Sequence, residues 1–263
     1  MKRPGSFTLA LLLAASAGIL LNAEESLPAL SGSCSVAAAS KPNEVDLKLE
    51  RGKCLGNEDC HSNQTQIQLA ALSGFTLADL QREGAHIDAA IRAEAGQITC
   101  SGIVHDQKLS GDYRFVPDPA FVAHMRQMGF DDLDSEKLQA YTLFQIDTPW
   151  IRSLQTAGVS GMDSGNLIAL RIFHVDTPYI GSLKSLGYPV PDAGQLVGLR
   201  VQGVDPNEVK QLRAMGYQPT LDELIQMRIF KVTPDFIHRM QARGLSNLTI
   251  SKLVQIRIFN LAD

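Results

Sequence analysis

The feature that most constrains this chain is a glycine that returns at an almost fixed interval: Gly129, Gly158, Gly187, Gly216 and Gly244, at steps of 29, 29, 29 and 28. Two apolar ladders keep the same step. Seven residues before each glycine stands Val122, Ile151, Ile180, Val209 or Ile237, and four before it Met125, Leu154, Leu183, Leu212 or Met240. A third runs through Leu138, Leu167, Leu196, Leu224 and Leu253. Coincident ladders are the signature of a repeat array, in which each unit hides its apolar face only against its neighbours.

Each unit reads as two short helices. Pro119, Pro149, Pro178, Pro206 and Pro234 follow Asp118, Thr148, Thr177, Asp205 and Thr233. That is a capping oxygen followed by proline at the first helical position, where no N–H is needed. The recurrent glycine then supplies the left-handed residue that ends the helix. Asp134, Asp163, Asp192, Thr220 and Thr249 mark the start of a second helix, and Thr220-x-x-Glu223 forms a capping box. Helices of about ten residues are marginal alone, so the pairs must stack. The expected fold class is α+β, ending in an α-solenoid over 117–263 with units 117–145, 146–174, 175–203, 204–231 and 232–263. The period is too short for the tetratricopeptide and ankyrin patterns.

Upstream the apolar period changes to two. Val45, Leu47 and Leu49 alternate with polar residues, as do Ile67 and Leu69, the run Ile87 to Ala93, the run Ile98 to Val104, and the run Leu109 to Phe115. These predict five half-buried antiparallel strands in a small β domain over 43–116, with a helical turn at Thr76–Leu80. Residues 24–42, rich in Ala and Ser between Pro28 and Pro42, read as a linker. Lys2 and Arg3 followed by the uncharged stretch Phe7–Leu21 read as a signal peptide over 1–23, with cleavage after Ala17 or Ala23. The expectation is an exported protein, periplasmic or secreted, whose mature chain does not span a membrane.

Export makes disulfides permissible for Cys34, Cys54, Cys60 and Cys100. Cys54–Cys60 across a polar turn is the simplest pairing and Cys34–Cys100 its complement, but four cysteines allow three connectivities. Charge limits the partners. The chain carries 24 Lys+Arg against 28 Asp+Glu, a net charge of −4. Removing 1–23 takes away two basic residues and no acidic one, leaving −6. Nucleic acid, which demands clustered cations, is excluded as a partner. The chain has no Gly-x-Ser-x-Gly, phosphate loop or dinucleotide fingerprint. Its six histidines do not pair at metal-ligand spacing. No catalytic residue, metal or cofactor is expected.

The order of parts, with Phe115-Val116-Pro117-Asp118-Pro119-Ala120-Phe121 leading into units such as Val232-Thr233-Pro234-Asp235-Phe236-Ile237 and Met227-Arg228-Ile229-Phe230, resembles a known arrangement. It is similar to the extracytoplasmic region that follows β-lactam-sensor-type membrane metallopeptidases, and to free-standing exported bacterial relatives. The resemblance covers about 43–263 and implies a bacterial protein with a sensing or interaction role. It carries over no catalytic residue, since His-Glu-x-x-His is absent.

Two polar or apolar features point to binding. Arg171, Arg200, Arg228 and Arg257 recur four residues after the repeat leucine, with Thr142 in the first unit. A groove for carboxylates on a peptide or glycan requires at least three of these guanidiniums to be mostly exposed. The structural alternative is that each binds helix-end carbonyls or pairs with an Asp such as Asp147, Asp176 or Asp205. The second feature is the apolar set Val254, Ile256, Ile258, Phe259 and Leu261 in the last unit, which offers no polar cap and suits docking on another chain, including a second copy. The expected function is non-enzymatic binding of a protein or peptide partner. The alternative is a carbohydrate or small-ligand binder that uses the β domain, and an enzyme comes third.

Overall fold

The computed structural model describes residues 27–52 and 61–259. The expected signal peptide, Cys54, Cys60 and Leu261 lie outside the described residues. The described chain is α+β, an antiparallel sheet followed by ten helices. The strands are β1 (Leu30–Ala38), β2 (Glu44–Arg51), β3 (His61–Gln68), β4 (Leu72–Ser73), β5 (His86–Ala93), β6 (Gly96–His105) and β7 (Lys108–Pro117), in the spatial order β3-β2-β1-β7-β6-β5-β4. Thr76 and Asp79 close a capping box on a 3-10 turn at Leu77–Gln81, where a helical turn was expected.

The reading of 24–42 as a linker is corrected. Much of it is β1, an interior strand, paired with β2 on one side and β7 on the other. Leu30, Cys34 and Val36 face the interior, while Ser31, Ser33 and Ser35 alternate with Gly32 and the core residues. The period of two is there, but small residues mute it. Gly32 is required, because a Cβ there would collide with the Glu50 carbonyl oxygen. Cys34 on β1 is bonded to Cys100 on β6, with 6.0 Å between Cα atoms. The bridge spans β7, where Gly111 is the cross-strand partner of Cys34 and a Cβ would collide with the Ser101 carbonyl oxygen. β4, only two residues long, was also not foreseen.

The helices fall in pairs: α1 (Pro119–Gln127) and α2 (Ser135–Phe144); α3 (Thr148–Ala157) and α4 (Ser164–Ile172); α5 (Thr177–Ser185) and α6 (Ala193–Val201); α7 (Pro206–Ala214) and α8 (Leu221–Ile229); α9 (Pro234–Ala242) and α10 (Ile250–Ile258). The five repeat glycines all take positive φ, from 78° at Gly187 to 92° at Gly158, a region closed to most side chains. The caps differ from expectation in two units. Asp147 and Asp176, not Thr148 and Thr177, accept from Trp150 N and Tyr179 N at 2.8 Å, which starts α3 and α5 one residue earlier. A carboxylate is the stronger acceptor and also suits the positive end of the helix.

Even-numbered helices contact one another in series, α2 to α4 to α6 to α8 to α10, and odd-numbered helices do the same from α3 to α9. The repeat leucines Leu138, Leu167, Leu196, Leu224 and Leu253 are all buried along that series. α2 also packs on β5, β6 and β7, so one hydrophobic core runs from the sheet into the helices. Tyr141, on α2, sits at the junction. Its ring meets Phe121 edge-on at 6.2 Å and its hydroxyl donates to Ser164 O at 2.9 Å.

Candidate docking surface

The arginine ladder is a set of internal caps, not a free row. Arg171 Nε donates to Phe144 O and its Nη2 to Gln145 O, each at 3.0 Å. Arg200 Nε donates to Phe173 O at 2.8 Å, Arg228 Nε to Gln202 O at 3.1 Å, and Arg257 Nη2 to Lys231 O at 3.0 Å. Each arginine reaches one unit back to the carbonyls that the preceding even-numbered helix leaves unpaired at its C-terminus. Thr142 takes this position in unit one, which has no earlier helix pair to cap, and Thr142 Oγ1 instead donates to Leu138 O within its own helix.

An aromatic ring holds the other side of most of these guanidiniums. Arg171 lies 5.2 Å from the Trp150 ring centre, Arg200 4.8 Å from Tyr179 and Arg257 4.0 Å from Phe236. Unit four has Glu208 in place of the aromatic, and Arg228 Nη1 donates to its Oε2 at 2.7 Å. All four arginines are half-buried. The expectation of an exposed carboxylate groove built from Arg171, Arg200, Arg228 and Arg257 is therefore corrected. Asp147, Asp176 and Asp205 cap their own helices instead. Tyr179 is buried enough that its hydroxyl is pushed up to about 12, and it donates to Val204 O at 3.2 Å. Tyr141 is pushed up further, mainly by burial with nearby aspartates adding to it. Neither phenol is poised for proton transfer near neutral pH.

The residue after each arginine behaves differently. Ile172, Val201, Ile229 and Ile258 are 42%, 48%, 50% and 49% exposed. Four residues before each, on the same helical face, stands Ile168, Val197, Ile225 or Val254. The stripe is interrupted only in unit one, where Gln139 and Leu143 hold these two positions and both are buried, Leu143 at 5% exposure. Gln139 lines a cavity with Leu49, Arg51 and Tyr113, so this face of α2 is the one that meets the sheet. Of the five C-terminal candidates, Val254 is buried and Ile256 half-buried, so neither is open for docking. Ile258 and Phe259 are exposed, and Ile258 is the last rung of the longer stripe. Ile172, Val201 and Ile229 had been missed as surface residues. The available signal was a second apolar ladder beyond what one core-facing stripe of a helix needs.

Two further depressions adjoin this surface. One of about 540 Å³ lies where the sheet edge approaches unit two, lined by Gln66, Phe144, Trp150, Arg171, Ile172, His174, Val175 and Asp176. The cavity beneath β3 is about 340 Å³ and is also lined by His61, Ser62, Asn63 and Glu136. Glu136 is ion-paired with Arg51, which holds its carboxyl below the usual range. A separate open groove of about 770 Å³ crosses the other face of β6 and β7, past Arg92, Gln97, Thr99 and Arg114. Among the described residues no cluster of three His, Cys, Asp or Glu side chains could hold a metal. No described helix is long and apolar enough to cross a membrane. Comparison with family models, curated protein sequences and solved structures returned no match for this chain.

Proposed function

We propose that the chain is an exported, non-enzymatic interaction module. Its five helix pairs act as a short solenoid that presents the stripe Ile172, Val201, Ile229 and Ile258 to a protein partner. The observation that carries this reading is the contrast between Leu143, covered by the sheet, and its four exposed equivalents. Apolar side chains left exposed at one recurring position are what a contact site requires. Export is supported by the disulfide Cys34–Cys100, a bond kept in oxidising compartments, and by the basic-then-apolar start of the sequence. The resemblance to the extracytoplasmic region of sensor peptidases makes an envelope protein of that kind the first partner to test.

A photo-crosslinking residue placed at Ile229 in the exported chain should give one discrete adduct in the cell envelope. The same residue at Lys210, exposed on α7, should give none. Absence of any adduct at both Val201 and Ile229 overturns the reading. The groove across β6 and β7 favours a second reading, a carbohydrate or small polar ligand on the sheet. There Arg92 Nε donates to Gln97 Oε1 at 3.1 Å and Gln97 Nε2 to Thr99 Oγ1 at 3.2 Å. Saturable binding on a glycan array, lost in Arg114→Ala, would support it.

A further inference from the structure

The two edges of the sheet are unlike. β4 is two residues long, a common way to blunt an edge. β3 is eight residues long, is exposed over most of its length, and carries no Lys, Pro or other charged residue from Ser62 to Gln68. Among the described residues no strand pairs with its outer side. A long unprotected edge is a template for one more strand.

What lies beside that edge selects the strand. Asn63 and His61 face the same side of the sheet as buried Leu49 and as Arg51, their partners in register. Beneath them is the cavity that Gln139 lines. Gln139 is buried, and among the described residues its Nε2 has no hydrogen-bond partner. A buried amide donor left unpaired costs about 1–3 kcal/mol, so the cavity favours an incoming acceptor. At the other end of the strand, beside Gln66, lies the depression walled by Phe144, Trp150, Ile172 and Val175. Asn63 and Ile67, four residues apart and paired with buried Leu49 and Val45, face the same side of the sheet, so side chains of an added strand opposite Asn63 and opposite Ile67, the neighbour of Gln66, point the same way.

We infer that the edge of β3 binds an extended peptide segment of another protein by strand addition. One of its side chains carries a hydroxyl or amide oxygen to Gln139, and another, about four residues away, puts an apolar group against Trp150 and Ile172. This rests on the reading of the chain as a protein-binding module and names the class of partner. A second copy of this chain fits poorly. Its own β3 would offer Ser62, Gln64, Gln66 and Gln68 to the apolar wall, and its one aliphatic residue, Ile67, is already buried in its own core.

The probe is a phage-displayed library of random 12-residue peptides selected on the purified chain. The tightest binder is then synthesised with N-methyl groups on alternate backbone amides, in both registers. One register should weaken binding at least tenfold and the other should be tolerated, because alternate amides of an added strand face the edge. Amide exchange over residues 61–68 should slow on binding. Ile172→Lys should weaken the peptide tenfold or more. Gln139→Leu should weaken it several-fold while leaving the melting temperature unchanged or higher. Ile103→Lys, on an exposed part of β6, should do nothing.

Failure to select any peptide, indifference to both methylation registers, or protection of 61–68 that grows with protein concentration without peptide would each overturn the inference. An adduct at Ile229 with none of these peptide effects leaves the stripe standing and removes strand addition. Slowed exchange over 61–68 without an adduct at Ile229 does the reverse.

Discussion

In unit one, Gln139 and Leu143 lie beneath the sheet. In units two to five, Ile168 and Ile172, Val197 and Val201, Ile225 and Ile229, and Val254 and Ile258 occupy the same two places, and the second of each pair is open to solvent. One helical face thus serves once as an internal interface and then recurs four times with its second position uncovered. Burial of an aliphatic side chain is worth about 1.5–3 kcal/mol, so the same residue type stabilises the fold at one rung and is free for a partner at the others.

The contrast can be broken from the covered side first. Replacing Cys34 and Cys100 by serine removes the only covalent tie in the described sheet and should cost about 2–5 kcal/mol, read as a drop in denaturation midpoint. An unchanged midpoint would mean that the sheet needs no staple. Leu143→Ala should cost about 2–5 kcal/mol in chemical denaturation, whereas Ile229→Ala should stay within about 0.5 kcal/mol. Equal effects would abolish the distinction between the rungs.

Between those extremes sit the arginine caps. Arg200→Ala leaves Phe173 O without its donor and strips the cation from Tyr179, a loss of about 1–2 kcal/mol. Arg228→Ala should cost a similar amount through Gln202 O and Glu208, with more salt sensitivity because an ion pair replaces the ring. The smallest effect concerns pH. The hydroxyl of Ser164 and then the ammonium of Lys137 hold the Asp132 carboxyl below its usual value of 3.8. A depressed carboxyl stabilises the fold above its unfolded value, and that contribution fades as pH falls through its lower folded value. Asp132→Asn should therefore lower stability slightly at neutral pH and flatten its fall below about pH 4, so that variant and parent converge in acid, measured by urea denaturation at stepped pH.

The ten short helices were legible because proline and glycine mark their ends and leucine their buried faces at fixed steps along the sequence. Less was legible where the job is done by an unusual residue. Gln145, His174 and Lys231 take left-handed backbone after even-numbered helices, a role in which sequence leads one to look for glycine. β1 was hidden because Ser and Ala stand where Val and Ile would have advertised a strand. The arginine caps were visible as a ladder, but their partners are backbone carbonyls one unit back, which no side-chain pattern displays. Glu208 is the informative exception, since it replaces a ring and turns a cation–π contact into an ion pair. The exposed stripe was present in the ladders, and what the sequence could not separate was which apolar face turns inward.

The central claim is that the face covered by the sheet in unit one is a partner's surface in later units. The most direct measurement uses the double variant Val201→Lys with Ile229→Lys, carrying the crosslinker at Ile258. The account predicts a melting temperature within about 2 °C of the parent, as for exposed substitutions, together with loss of the envelope adduct. A large fall in melting temperature, or an adduct that forms undiminished, would contradict it.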